Sequence, residues 1–373
     1  MINKVGAFTS FGGDLKTVIV GNMVAPTYFD AMPNTENKKV LQQIVFETKE
    51  DLDNLASTYA SYGVEIHRPK ITHNQPSIVD ACGTKIINPM PNFQPHDHVL
   101  CIDNTFINSF VDIERYFDQQ SIEHIIDDLD PSVDYVKIDA PDIWDDEYYD
   151  NLMMDMTDYP GNKDTILHGP AFYPCGKHIF YTEKYCISPA GLELVKSKFP
   201  DHAFMSLSLP FKGHLDAQIR IIKPGVLLTI IDPDVLIAQV PQFSTWTILH
   251  DQSWYEAKEH KRQTYTELSN WIDDDTVDSS VHLGVVNIRP DLVAINYDLK
   301  NAVDFISDAG LQCNNGKVKI VNNGYNPYMG AIIAANIPSL VVQRVILNNE
   351  SPESAVKWGH GEIEKIVKEL GPA

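Results

Sequence analysis

The chain has 373 residues and is 43% hydrophobic, enough for a large buried core, and its 51 acidic against 29 basic residues give a formal charge of -22. That balance disfavours nucleic acid and anionic membranes as partners and favours a cationic ligand, and no run approaches the ~18 apolar residues of a membrane span. Five cysteines without CxxC spacing, and an opening Met1–Val5 without an apolar signal segment, point to reduced thiols in a cytoplasm.

Along the chain a β-rich run, a helical or irregular stretch and a second β-rich run recur. Lys16–Gly21 reads as the first strand. Glu47–Tyr62 follows with Leu52, Leu55, Ala56, Tyr59 and Ala60 at helical spacing, Gly63 as its stop, and Val64–Arg68 as the second strand. His98–Asp103 pairs with Thr105–Ile107 as a hairpin, and Asp134–Asp139 closes that unit. The acidic, aromatic stretch from Asp142 to Asp158 reads as an inserted loop or short helix. The third unit runs from His178–Thr182 through a helix near Pro189–Phe199 to Ala203–Leu209. The fifth runs from Leu292–Tyr297 through a helix near Asn301–Ala309 to Lys317–Val321, and Glu353–Leu370 reads as an amphipathic surface helix.

The fourth unit, Gly213–Thr229, carries the most chemistry. Lys223-Pro224-Gly225 reads as a turn between two strands, with Pro presetting φ and Gly at the positive-φ position. Alternation along a strand puts His214, Asp216, Gln218 and Arg220 on one face and Leu215, Ala217, Ile219 and Ile221 on the other. The apolar set belongs in a core. The polar set is either a solvated strand face or a functional row in which His carries protons and Asp binds a cation. Val226–Ile231 and Thr245–Leu249 complete the unit.

Five such units suggest a repeat architecture in which each buries its open face on a neighbour. A doubly wound nucleotide-binding sheet would also alternate strands and helices, but the sequence lacks Gly-x-Gly-x-x-Gly after the first strand and has no Walker A run. It also lacks HExxH, Gly-x-Ser-x-Gly and any His/Cys cluster at metal spacing, so neither a metal nor another cofactor is expected.

Several stretches resemble the glycine amidinotransferase family. His214-Leu215-Asp216-Ala217 with the apolar run to Pro224-Gly225 is similar to that family's His-Ile-Asp-Ala-Thr…Gly-Pro-Gly. Ser10–Gly21 is similar to its opening strand, and Gln94-Pro95-His96-Asp97 with Asn104 to its Met-Pro-Arg-Asp strand. His168–Phe180, with Phe172, Gly176 and Phe180, is similar to its Asp-Ala-Ala-Asp-Phe segment. Val318–Ala334 falls where its nucleophile strand should be. The resemblance covers most of the chain in the right order. It implies one domain over residues 1–373, a five-bladed α/β propeller of the guanidino-modifying class.

Guanidinium chemistry needs carboxylates to hold a planar cation, a thiolate to attack its carbon, and a His to protonate the departing amine. The resemblance implies that Asp97 is one guanidinium-binding carboxylate and that His214 and Asp216 are the catalytic His-x-Asp pair. It also puts Ala171 where the second Asp belongs and Ala334 where the nucleophilic Cys belongs, a shifted register giving Gly330 or Ala335. Arg220 takes the position of a family Asn. The sequence thus leads to an amidinotransferase-like protein, degenerate in catalysis, with a small guanidino or amine cation as ligand and a homodimer as its commonest assembly. The alternatives are a non-catalytic propeller acting in binding or assembly, and an enzyme with a relocated nucleophile such as Cys175 or Cys313. Arg220 is expected either to fill the former substrate subsite, with Asp216 and also Asp97 as its partners, or to point past the strand end into water without a partner.

Overall fold

The structure, a computed structural model, describes residues 14–30, 35–72, 78–79, 81–82, 86–87, 89, 91–111, 115–140, 142, 165–182, 187–209, 214–250, 285–290, 292–295, 321–322 and 357. The expected helix at Asn301–Ala309 and the positions Gly330, Ala334 and Ala335 lie outside them, as do Cys186, Cys313 and most of Asp142–Asp158. Of the expected C-terminal helix only Lys357 is described, and it is helical.

The first unit pairs β1 (Thr17–Ile19) in parallel with β2 (Glu65–His67), a pairing that demands a crossover. The crossover is α1 (Thr35–Ser61), and Gly63 ends it at φ +79. This helix begins well before the expected Glu47, because Leu41 and Val45 bury themselves against Met23, Val24 and Phe29. A short antiparallel hairpin, β3 (Ile78–Val79) with β4 (Ile86–Ile87), follows.

The next four units share one plan: an antiparallel hairpin whose second strand is joined in parallel by a third. In the second unit β5 (Val99–Ile102) and β6 (Thr105–Asn108) form the hairpin. The short helices α2 (Asp118–Ser121) and α3 (Glu123–Ile126) lead to β7 (Asp134–Lys137). In the third, β8 (Phe172–Cys175) and β9 (His178–Tyr181) lead through α4 (Pro189–Lys198), capped by Ser188, to β10 (Ala203–Ser206). In the fourth, β11 (Ile219–Lys223) turns over Pro224-Gly225, with Gly225 at φ +84, into β12 (Val226–Thr229). Helix α5 (Pro233–Gln239) then leads to β13 (Thr247–His250). The fifth pairs β14 (Val285–Arg289) with β15 (Leu292–Ile295), and β16 (Val321–Asn322) joins in parallel. The result is an α/β fold of small mixed sheets in series.

The expectation for Gly213–Arg220 needs correction. His214 is extended, but Leu215–Ala217 is a 3-10 turn, closed by Gln218 N–H donating to Leu215 O at 3.0 Å, and the strand begins only at Ile219. Asp216 therefore does not alternate in register with Gln218 and Arg220. The same device recurs: Pro95–Asp97 forms a 3-10 turn just before β5, and Gly169–Ala171 forms one directly before β8. These three turns of consecutive units pack against one another.

Successive units also share apolar cores. Ile19 packs on the cluster around Phe106 and Ile125, joining the first unit to the second. Leu100, Ile102 and Ile107 meet Leu167, Phe172 and Ile179 between the second and third. Tyr173, Phe180 and Leu207 meet Leu215, Ile219 and Leu227 between the third and fourth. Asn287 Nδ2 donates to Ile222 O at 2.8 Å between the fourth and fifth. The fifth returns to the first: Ile288 and Leu292 share a core with Val20, Tyr59 and Val64, and Leu15 N–H donates to Ile288 O at 2.8 Å. No helix among the described residues is long and apolar enough to cross a membrane.

Gly169 marks where two turns touch. A Cβ there would lie 2.3 Å from Val99 O and 2.5 Å from His96 O, both backbone atoms that cannot rotate away. Gly169→Ala is expected to lower the unfolding free energy by about 2 kcal/mol through overpacking. Urea denaturation checks this, and an unchanged midpoint would show that the two turns are not in register as described.

Candidate functional site at three convergent turns

The three 3-10 turns bring together polar side chains that lie on them or directly before them. Asp97, on the first, is 4% exposed. Its Oδ2 accepts from Arg115 Nη1 at 2.6 Å, and the same guanidinium donates through Nε to Asp118 Oδ2 at 2.5 Å and through Nη2 to Gln94 O at 2.9 Å. Asp97 Oδ1 faces two imidazoles, His96 Nε2 at 3.1 Å and His214 Nδ1 at 3.9 Å. His214 in turn lies with Nε2 3.2 Å from His168 Nδ1, so Asp97 and the residues that open the other two turns follow one another in space: Asp97, His214, His168. Burial by itself would push the Asp97 carboxyl up. The charges of His96, Arg115, His214 and His168 more than offset this and hold it well below the usual carboxylate range.

Asp216 is buried, and Arg220 Nη2 donates to its Oδ2 at 2.8 Å. Arg220 thus reaches Asp216 as expected, though from the start of β11 across the 3-10 turn rather than along one strand face. It does so beside Tyr59 and Tyr173, whose hydroxyls feel its charge. Asp97 takes Arg115 instead. Ala171, which the resemblance aligns with a second carboxylate, is fully buried within the apolar cluster of Leu100, Leu167 and Phe172.

Beside this cluster, His98 anchors a buried polar network. Its Nε2 lies 2.8 Å from Asn92 Nδ2, which can only donate, and its Nδ1 lies 2.9 Å from Asn108 Oδ1, which can only accept. The neutral Nδ1–H tautomer satisfies both. Asn92 also donates to Ser121 Oγ at 2.8 Å, and Gln119 Nε2 donates to Asn108 O and Ile138 O, tying α2 to β6 and the end of β7. Burial lowers the His98 pKa to about 3, with its Asn108 hydrogen bond opposing the shift.

Of the residues singled out from sequence, Asp97 and His214 meet directly and Asp216 meets Arg220; Ala334 lies outside the described residues. Arg115, His96, His168 and His98 were not assigned roles. Arg115 falls in a stretch without strand or helix periodicity, and His168 is far along the chain from His96 and His98. No metal-ligand spacing stands in the sequence, yet the fold brings ligand atoms of His96, His214 and Asp216 within 4.8 Å of one another. Among the described cysteines, burial raises the pKa of Cys101 to about 12 and raises that of Cys175, which leaves both as thiols rather than thiolates.

Two outcomes follow from this geometry. Arg220→Ala strands a buried carboxylate and is expected to cost about 3 kcal/mol, while Asp216→Asn with Arg220→Met recovers most of it; urea melts of both variants test the pair. His98 binds its proton less readily folded than unfolded, so the stability it supports is present above the unfolded pKa of about 6.5 and is lost as pH falls from there toward 3. His98→Gln should be less stable overall, yet its stability should fall less steeply between pH 6 and 4, by about 1.4 kcal/mol per pH unit. Equal slopes for the two proteins would place the charge uptake elsewhere.

No family model matches the chain, and no curated protein matches it. Solved structures do. An inosamine-phosphate amidinotransferase from Streptomyces griseus superposes with a TM-score of 0.58 at 14% identity, over 88% of this chain and 95% of that one. An amidinotransferase of saxitoxin biosynthesis from Microseira wollei superposes with a TM-score of 0.60 at 16% identity, over 87% of this chain and 93% of that one. At such identities the likeness is one of backbone architecture, and this chain has the fold of those amidinotransferases.

Proposed function

We propose that the chain is an amidinotransferase-like protein, a single five-bladed α/β propeller in a reducing cytoplasm, whose pocket has lost amidino transfer. The observation that carries the reading is the Arg220–Asp216 ion pair at 2.8 Å. Asp216 belongs to the His-x-Asp pair that the resemblance assigns to catalysis. Arg220 presents to it the same planar, permanently charged fork that an arginine substrate would present. The protein's own guanidinium thereby fills the subsite, and it relieves a buried carboxylate that would otherwise need a ligand.

The chemistry supports the same reading. Amidino transfer begins with a thiolate attacking the guanidinium carbon, and the position aligned with that nucleophile is Ala334. A methyl group cannot form the adduct. His214 could still act as a proton carrier, since its ring touches both Asp97 and His168. A second reading, a propeller acting only in binding or assembly, draws on the same self-occupied carboxylates.

Purified protein supplied with arginine and glycine is expected to release neither ornithine nor guanidinoacetate. Free arginine at millimolar concentration should raise the melting temperature of Arg220→Ala while leaving the wild type unmoved. Turnover that disappears on Cys175→Ser would overturn the proposal in favour of a relocated nucleophile. A wild type stabilised by arginine as much as Arg220→Ala would show that the subsite is open.

A further inference from the structure

We propose that His96, His214 and Asp216 form a binding site for a divalent transition metal, with Zn2+ as the fitting ion. This site is separate in chemistry from the guanidinium reading and does not rest on it. One nitrogen from each histidine and one oxygen from the aspartate lie within 4.8 Å of one another. Two imidazoles and a carboxylate are the donor set that Zn2+ takes in three-ligand sites, where the fourth position is left to water. Four-coordinate Zn2+ spaces its ligand atoms about 3.3 Å apart, so the cluster must tighten by up to about 1.5 Å. His96 and His214 keep 38% and 24% of their side-chain surface in solvent, so they have room to turn and the ion has a way in.

The surroundings are arranged as metal sites arrange them. Metal-bound imidazoles commonly give their spare N–H to a carboxylate, and such partners orient the ring. Asp97 Oδ1 stands against both rings, at 3.1 Å from His96 and 3.9 Å from His214. That oxygen is buried and makes no hydrogen bond among the described residues. It is an unmatched acceptor aimed at the two histidines, and a metal drawing both rings inward would supply its donors. Asp216 is oriented in the same manner by Arg220, which holds Oδ2 at 2.8 Å and leaves the carboxylate a second oxygen for the ion. With His214 Nδ1 turned to Asp97, its Nε2 is the nitrogen left for the ion, so the 3.2 Å contact it makes with His168 Nδ1 must give way on binding. Summed formally, Asp97, Asp118 and Asp216 against Arg115 and Arg220 leave the pocket one negative charge before an ion enters, which favours a cation.

The test uses the full chain, stripped with a chelator and titrated with Zn2+ by calorimetry and with Co2+ by visible absorption. One Zn2+ per chain at micromolar affinity or tighter is expected, with the d–d bands of four- or five-coordinate Co2+. His96→Gln and His214→Gln should each weaken Zn2+ at least about 10-fold, the loss typical of damaging a metal site's ligand shell. His178→Gln, an exposed histidine elsewhere, should leave the affinity unchanged. His96 is half-exposed, so its variant should fold, and circular dichroism checks that. No Zn2+ bound to the stripped wild type, or binding equally strong in His96→Gln and His214→Gln, overturns the proposal. Because this readout is metal binding and the arginine readout is a melting shift of Arg220→Ala, either can fail without the other.

Discussion

A carboxylate taken out of water must be given a counter-charge or it will not stay ionised. Asp97 imposes that demand where the three 3-10 turns meet. It sits at the end of a 3-10 turn that leads directly into β5, with no length of chain in which to swing back to solvent. The demand is met by Arg115, whose guanidinium is itself fixed by Asp118 and by the Gln94 carbonyl. Since Asp118 opens α2, and Gln119 beside it ties that helix to β6, one buried charge organises the hairpin, the helix and the turn together. The neighbouring turns then close in. Gly169 permits it by having no Cβ, and His168 and His214 complete the approach.

The convergence has a consequence for how such a pocket changes over time. A site built from side chains on three separate units can lose one function without losing its shape, because the turns are held by backbone contacts and by cores behind them. Ala171 is packed like any core residue, and the His98 network beside the site is satisfied with the protein's own groups. The frame is therefore independent of the chemistry it carries, in keeping with a fold whose relatives by architecture are found at only 14–16% identity.

What could be read in the sequence was whatever is encoded locally. The Lys-Pro-Gly turn, the Gly63 stop, the Pro189 helix and the Thr105–Ile107 partner strand each depend on nearest neighbours, and the structure has them. The hidden parts were tertiary. Gly213–Arg220 alternates polar and apolar like a strand, but Leu215 and Asp216 are both buried in a 3-10 turn, since both sides of that segment face protein. Neither β8 nor β14 is among the expected strands: Pro174 interrupts the first, whereas the second, bounded in the sequence by Gly284 and by Pro290-Asp291, carries a legible turn signal. The pairing of Arg115 with Asp97, or the meeting of His96 with His214, has no local signature at all. The first pair closes within the second unit, across the β5–β6 hairpin, and the second forms only when the fourth unit meets the second.

The bond between Leu15 and Ile288 carries one more implication, for the order in which the molecule is made. The apolar faces of Val20, Tyr59 and Val64 are covered in part by Ile288 and Leu292, which leave the ribosome long after the first unit has emerged. Until then β1 and α1 have no final partner on that side, and the nascent chain carries an open seam. Closing it joins the far ends of the described chain, a step with a large loop-closure cost that local structure cannot repay in advance. Assembly is thus expected to finish at this seam, and the period before it closes is when a holdase would find the most to bind.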